Sequence, residues 1–127
     1  MAHKATEISP AQLAKYAPVA RARVHARRER LEARRTRAWE VARRAAALLK
    51  EQCGVKRVAL FGSLTRPALF YERSDVDLAV WGLDERLYLK VVGQLLALDP
   101  EIRVDLVEAE FARPTLQATI EREGMPL

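Results

Sequence analysis

Between Val58 and Val80 an apolar run (Val58, Ala59, Leu60, Phe61) stops at Gly62-Ser63. A polar connection follows, and then a second apolar run that carries two carboxylates, Asp75-Val76-Asp77-Leu78-Ala79-Val80. This stretch constrains the fold more than any other, because it reads as a strand, a phosphate-sized turn and a second strand. Successive strand residues face opposite sides, so Asp75 and Asp77 point one way while Val76, Leu78 and Val80 point into a core. Two like charges then sit side by side at the start of an otherwise apolar strand. Their repulsion costs energy, and a divalent cation is the common relief. Gly62 supplies a turn without a side chain in the way, and Ser63 opens a short helix whose free backbone N–H groups suit a phosphate.

A third acid lies downstream. Ile102-Arg103-Val104-Asp105-Leu106-Val107 is another short β-branched run, with Ile102, Val104 and Leu106 on one face and Asp105 on the other. Three carboxylates on neighbouring strands can hold two magnesium ions, which bridge a nucleotide's phosphates and lower the pKa of an attacking hydroxyl. The reaction class is then phosphoryl or nucleotidyl transfer. The plain alternative makes Asp75 a loop residue or cap, with Asp77 and Asp105 facing solvent from a half-exposed sheet. The Gly-Ser turn placed ahead of the paired aspartates favours the metal site.

The rest of the chain supplies the scaffold. Ser9-Pro10 is a helix start, an N-cap followed by proline at the first helical position, and predicts a short helix through Tyr16 that Pro18 ends or kinks. From Val19 to Cys53 there is neither glycine nor proline, and Ala, Arg, Glu and Leu dominate, so one long helix runs to Gly54. From Trp39 onward apolar residues recur at helical spacing (Trp39, Ala42, Ala46, Leu49, Cys53) and mark a face that packs on a sheet. Between Arg21 and Arg37 they thin to Val24 and Leu31 amid eight arginines. Strands are expected over 56–61, 76–81 and 102–107, with helices over 85–98 and from Pro114 to Glu123. The order predicts an α/β (α+β) fold: a small mixed three-stranded sheet covered by helices, with a long basic N-terminal helix.

Charge divides the chain in the same place. Residues 1–53 carry 13 Lys and Arg against 5 Glu, whereas residues 54–127 carry 9 against 12 Asp and Glu. A basic arm is thus joined to a mildly acidic core. No stretch reaches the roughly 20 apolar residues of a membrane span, and the N-terminus has no signal-like apolar segment, so the expectation is a soluble, cytoplasmic protein. Cys53 is the only cysteine, which excludes an internal disulfide and reads as a small core residue. His3 and His25 are far in sequence from the acids and read as surface residues.

Gly62-Ser63, Ser74-Asp75-Val76-Asp77-Leu78 and Val104-Asp105-Leu106-Val107 together resemble the minimal nucleotidyltransferases of the DNA polymerase β superfamily, including antitoxin partners of HEPN-domain toxins. The resemblance covers roughly residues 38–127, down to Ile120-Glu121-Arg122-Glu123-Gly124. It implies a nucleotidyltransferase domain over 38–127 behind a basic helical extension over 1–37. It also implies transfer of AMP from ATP, with magnesium, to a hydroxyl, with a tyrosine of a HEPN ribonuclease toxin as acceptor. Asp75, Asp77 and Asp105 would be the catalytic metal ligands, and Gly62, Ser63 and Arg66 would bind the nucleotide. Thr65-Arg66-Pro67 departs from the family pattern, since Pro67 removes a backbone donor and restricts the helix after the turn. Two other classes fit the same residues: a transferase for a small molecule such as an aminoglycoside, and a non-catalytic module that neutralises a toxin by contact. The arginine-rich helix could be solvated, could dock an acidic protein surface, or could contact RNA.

Overall fold

The structure is a computed structural model that describes residues 9–127; what the sequence suggests for residues 1–8, His3 included, lies outside the described residues. One helix, α1 (Pro10–Cys53), precedes a four-stranded sheet made of β1 (Arg57–Phe61), β2 (Val76–Trp81), β3 (Val104–Glu108) and β4 (Met125–Pro126). Helix α2 (Tyr88–Leu96) joins β2 to β3, and α3 (Pro114–Glu123) joins β3 to β4. The spatial order is β3-β2-β1-β4, with β1 antiparallel to β2 and to β4, and β2 parallel to β3.

Alternation along the strands sorts side chains onto two faces. Val58 and Leu60 of β1, Val76, Leu78 and Val80 of β2, and Val104 of β3 meet Ala38, Val41, Ala42, Ala45, Ala46 and Leu49 of α1 and Val91 and Leu95 of α2. Leu49, Leu60, Leu78 and Leu95 are fully buried there, each contributing about 1.5–3 kcal/mol by transfer from water. The opposite face carries a smaller cluster of Phe61, Ala79, Ala109 and Ile120, covered by α3. Small residues on α1 let the helix lie close to the sheet; Trp39 and Cys53 pack at the margin of the larger cluster, half-buried.

Several expectations are corrected. The sheet has four strands, because Met125-Pro126 pairs with Leu60 and Ala59; two residues carry no alternation to read. Helix α1 does not stop or restart at Pro18. It is launched by a capping box in which Ser9 Oγ accepts from Gln12 N–H (3.2 Å) and Gln12 Oε1 accepts from Ser9 N–H (2.9 Å). Strong helix formers continue on both sides of Pro18, and the carbonyl that the proline leaves unpaired is in an exposed segment open to solvent, so its loss costs little. Gly54, at φ +65°, ends the helix in the left-handed conformation. Strand β3 starts two residues later than expected, because Asp99 Oδ1 accepts the N–H groups of Glu101 (2.8 Å) and Ile102 (3.0 Å) and holds them in a turn. Helix α2 starts at Tyr88 after a 3-10 turn over Glu85–Leu87 that Asp84 caps.

The basic half of α1 is partly attached to the core. Arg34 Nη2 donates to the carbonyls of Ser74 (3.1 Å) and Glu101 (3.3 Å), and Arg37 Nε binds Asp99 Oδ2 at 2.6 Å. Arg27 Nε reaches Glu72 at 3.1 Å. N-terminal to Arg27, no hydrogen bond or ion pair joins α1 to the core among the described residues. His25 is exposed and pairs with Glu29 one turn on (2.9 Å).

Candidate active site

The acids gather at one edge of the sheet. Strand β2 begins immediately after Asp75, and its parallel pairing with β3 sets Asp77 directly beside Asp105. Its antiparallel pairing with β1 sets Asp77 opposite Phe61, the residue before Gly62. Two separate pairings therefore bring the turn and the two strand aspartates to one place.

Gly62 occupies a conformation that side chains rarely adopt, φ +80° and ψ −158°. A Cβ on it would lie against Oδ2 of Asp77 and 3.1 Å from Asp77 Cγ. The missing side chain is thus what lets the turn close over the carboxylate. Thr65 Oγ1 donates to the Gly62 carbonyl at 2.7 Å and fastens the turn. The helix expected to open at Ser63 is one 3-10 turn, Ser63–Thr65, followed by a second over Pro67–Leu69. Pro67 imposes that break, and Phe70 anchors the end of the connection by burial.

Burial first, then the charges of Asp105 and Asp75, push the Asp77 carboxyl up from 3.8 to about 6. No hydrogen bond or ion pair to Asp77 offsets this among the described residues. Asp105 has a partner: Arg103 Nε, from the residue just before β3, lies 3.2 Å from its Oδ1. Among the described residues no three acidic, histidine or cysteine side chains stand as a formed metal cluster.

Each residue singled out from the sequence has a definite place. Asp75, Asp77, Asp105, Gly62 and Ser63 share this edge. Arg66 follows the first 3-10 turn, and its guanidinium is engaged by Glu123 at the end of α3. Two contributors were not legible in the sequence. Arg34 holds the carbonyl of Ser74, the residue before Asp75, from 40 positions away, and Glu123 occupies Arg66. Ser74 itself is buried, and its Oγ accepts the Tyr71 N–H at 2.9 Å, closing the loop that delivers Asp75. A serine immediately before the aspartates was the only local signal for any of this.

Residues 44–127 match the family described as polymerase beta, nucleotidyltransferase. Several similar solved structures are toxin–antitoxin assemblies. A chain of one with AMP-PNP is 24% identical, with 67% of this chain and 70% of that chain covered and a TM-score of 0.56. A chain from the tri-AMPylated Shewanella oneidensis HEPN toxin in complex with MNT antitoxin is 22% identical, with 70% of each chain covered and a TM-score of 0.53. A chain from a mutant of the toxin–antitoxin MntA-HpeT is 25% identical, with 67% and 68% covered and a TM-score of 0.52. No curated protein matches the chain.

Proposed function

The chain belongs to the polymerase beta nucleotidyltransferase family, and we propose that it transfers AMP from ATP to a hydroxyl on a protein, a tyrosine of a HEPN ribonuclease toxin, and so acts as that toxin's antitoxin. The observation that carries the chemistry is Asp77 paired with Asp105 across β2 and β3, beneath a glycine turn whose close approach to Asp77 leaves no room for a side chain. The partner reading is supported by the similar complexes, one of which holds an AMPylated HEPN toxin beside an MNT antitoxin. The transferase domain is assigned to 38–127 and the basic helical extension to 1–37, with Arg34 and Arg37 fastening the two together.

The residues present fit a divalent cation. A carboxylate whose ionisation is opposed by burial and two neighbouring acids gains most from a positive ion. Asp75, Asp77 and Asp105 would hold magnesium, as two ions. Bound there, magnesium would offset phosphate charge and make an acceptor hydroxyl more acidic. The chain's own groups do the rest. Gly62 and Ser63 give the triphosphate tail a turn with no obstructing side chain. Arg66 is the guanidinium carried by that turn, and a phosphate would compete with Glu123 for it. Asp105, beside Asp77 and with its side chain partly open to solvent, is placed to take the proton of an incoming hydroxyl. The new bond joins the acceptor oxygen to the α-phosphorus, the bond to the β-phosphate oxygen breaks, and pyrophosphate leaves.

The experiment is intact-mass analysis of a purified HEPN toxin from the same genome after incubation with this chain, ATP and magnesium. The toxin should gain AMP mass, and EDTA should prevent it. An unmodified toxin, together with nucleotide labelling of an aminoglycoside, would replace the protein acceptor by a small one.

A further inference from the structure

The uninterrupted course of α1 past Pro18 joins two apolar patches that the sequence alone keeps apart. At 100° per residue, Leu13, Ala17, Ala20, Val24 and Leu31 fall on the same face as Ala38, Ala42 and Leu49, the residues that pack on the sheet. Pro18 lies on the opposite side. The C-terminal part of that face is buried, while Leu13 and Val24 are more than half exposed, as is Tyr16 beside them. Shallow grooves of about 440 Å³, lined by Leu13, Tyr16, Ala17, Ala20 and Arg21, and about 310 Å³, shared by Val24 and Arg28, follow this face.

Its direction is set by the core contacts. Gly54, at the end of α1, leads into β1, so the helix runs back toward the end of the sheet where the aspartates lie. Arg34 is level with Ser74 and Arg27 with Glu72. Residues 10–26 then continue beyond that edge for roughly 25 Å. The rim of the projecting part is basic: residues 10–26 hold Lys15, Arg21 and Arg23 and no Asp or Glu.

We propose that the projecting part of α1, residues 10–26, is a docking helix for an acidic amphipathic helix of the acceptor protein, holding that protein over the carboxylate edge. This identity of the partner rests on the protein-acceptor reading above; the surface chemistry does not. A continuous apolar stripe needs an apolar counterpart, which a nucleic-acid backbone does not offer. A second copy of this chain would bring two basic rims together, whereas an acidic rim neutralises this one. Ala17 and Ala20 at the centre of the stripe leave room for close approach of a partner helix.

The test is fluorescence anisotropy with the full chain and three probes: a synthetic amphipathic helical peptide of leucine and glutamate, the same composition scrambled, and a 20-base-pair RNA duplex. The double variant Ala20→Gln/Val24→Gln removes apolar surface and keeps both charge and helix propensity, and circular dichroism checks its helix. The parent should bind the amphipathic peptide at least tenfold more tightly than the scrambled one, and the variant should lose that tenfold. Equal binding of the two peptides, duplex binding tighter than peptide binding, an unaffected variant, or self-association that the variant abolishes would each overturn the proposal. Labelling of the toxin is read separately. A labelled toxin with no peptide preference removes the docking helix alone, and a peptide preference with no labelled toxin removes the acceptor reading alone.

Discussion

Replacing Asp77 with Asn tests the site and its electrostatics in one molecule. The carboxyl's ordinary value is 3.8, and the fold raises it to about 6. The native state therefore binds more protons than the unfolded state between those values, and stability falls as pH rises through them and levels off above 6. At about 1.4 kcal/mol for each pH unit between the two values, ionised Asp77 costs the native state at most about 3 kcal/mol at neutral pH. Water reaches this half-buried group, so about 1–2 kcal/mol is the working figure. Asparagine keeps the shape and cannot ionise, so Asp77→Asn should melt roughly 3–8 °C higher than the parent at pH 7.5 without metal, with the difference gone below pH 4. Magnesium alone should raise the melting temperature of the parent and leave the variant unmoved. In the same protein, AMP transfer should fall at least about 100-fold, the scale of a lost charge-stabilising group. Thermal melts across pH 3.5–8 with and without magnesium, beside a transfer assay, give all three readings. A variant that melts lower than the parent at neutral pH would refute the crowding of charge, and transfer at the parent's rate would refute the assignment of Asp77.

Gly62→Ala places a Cβ against Asp77 in a backbone region that alanine resists; it should cost about 1–3 kcal/mol in chemical denaturation and abolish transfer. Asp99→Ala removes a buried acceptor of two backbone N–H groups and of Arg37 and should cost about 2 kcal/mol. Burial alone would raise the Asp99 pKa, but the Glu101 N–H, Arg37 and the Ile102 N–H prevail and lower it, so its stabilisation is present above pH 3.8 and is lost as pH falls through the lower native value. Arg34→Met should speed hydrogen exchange of the amides at 71–75 severalfold and leave the central amides of β2 protected; unchanged exchange would show that the Arg34 contact with Ser74 does not hold the loop. Removing residues 1–26 should leave the melting temperature of the core unchanged, whereas removing 1–36 also takes Arg27 and Arg34 and should lower it; equal melts would make those two arginines dispensable.

The sequence by itself determined what depends on neighbours along the chain. Alternation in Val76-Asp77-Leu78 forces Asp77 to the face opposite the core, and the unbroken helix formers from Val19 to Cys53 with Gly54 behind them require one long helix ending there. Tertiary structure decided what depends on residues far apart. That Asp77 faces Asp105 follows from the parallel register of β2 and β3, which is set by burial of Val76, Leu78 and Val104 against α1 and not by the aspartates themselves. A slip of one residue would turn those side chains to the wrong face, so the core fixes the acids. Arg34 beside Ser74, Glu123 on Arg66, and the pairing of Met125-Pro126 with β1 leave no local pattern, since each is one long-range contact whose partners have ordinary surroundings in sequence. The passage of α1 through Pro18 was decided by the balance between one lost hydrogen bond in water and a capped helix with strong formers on both sides, and it is this balance that places Leu13 and Val24 on one continuous face.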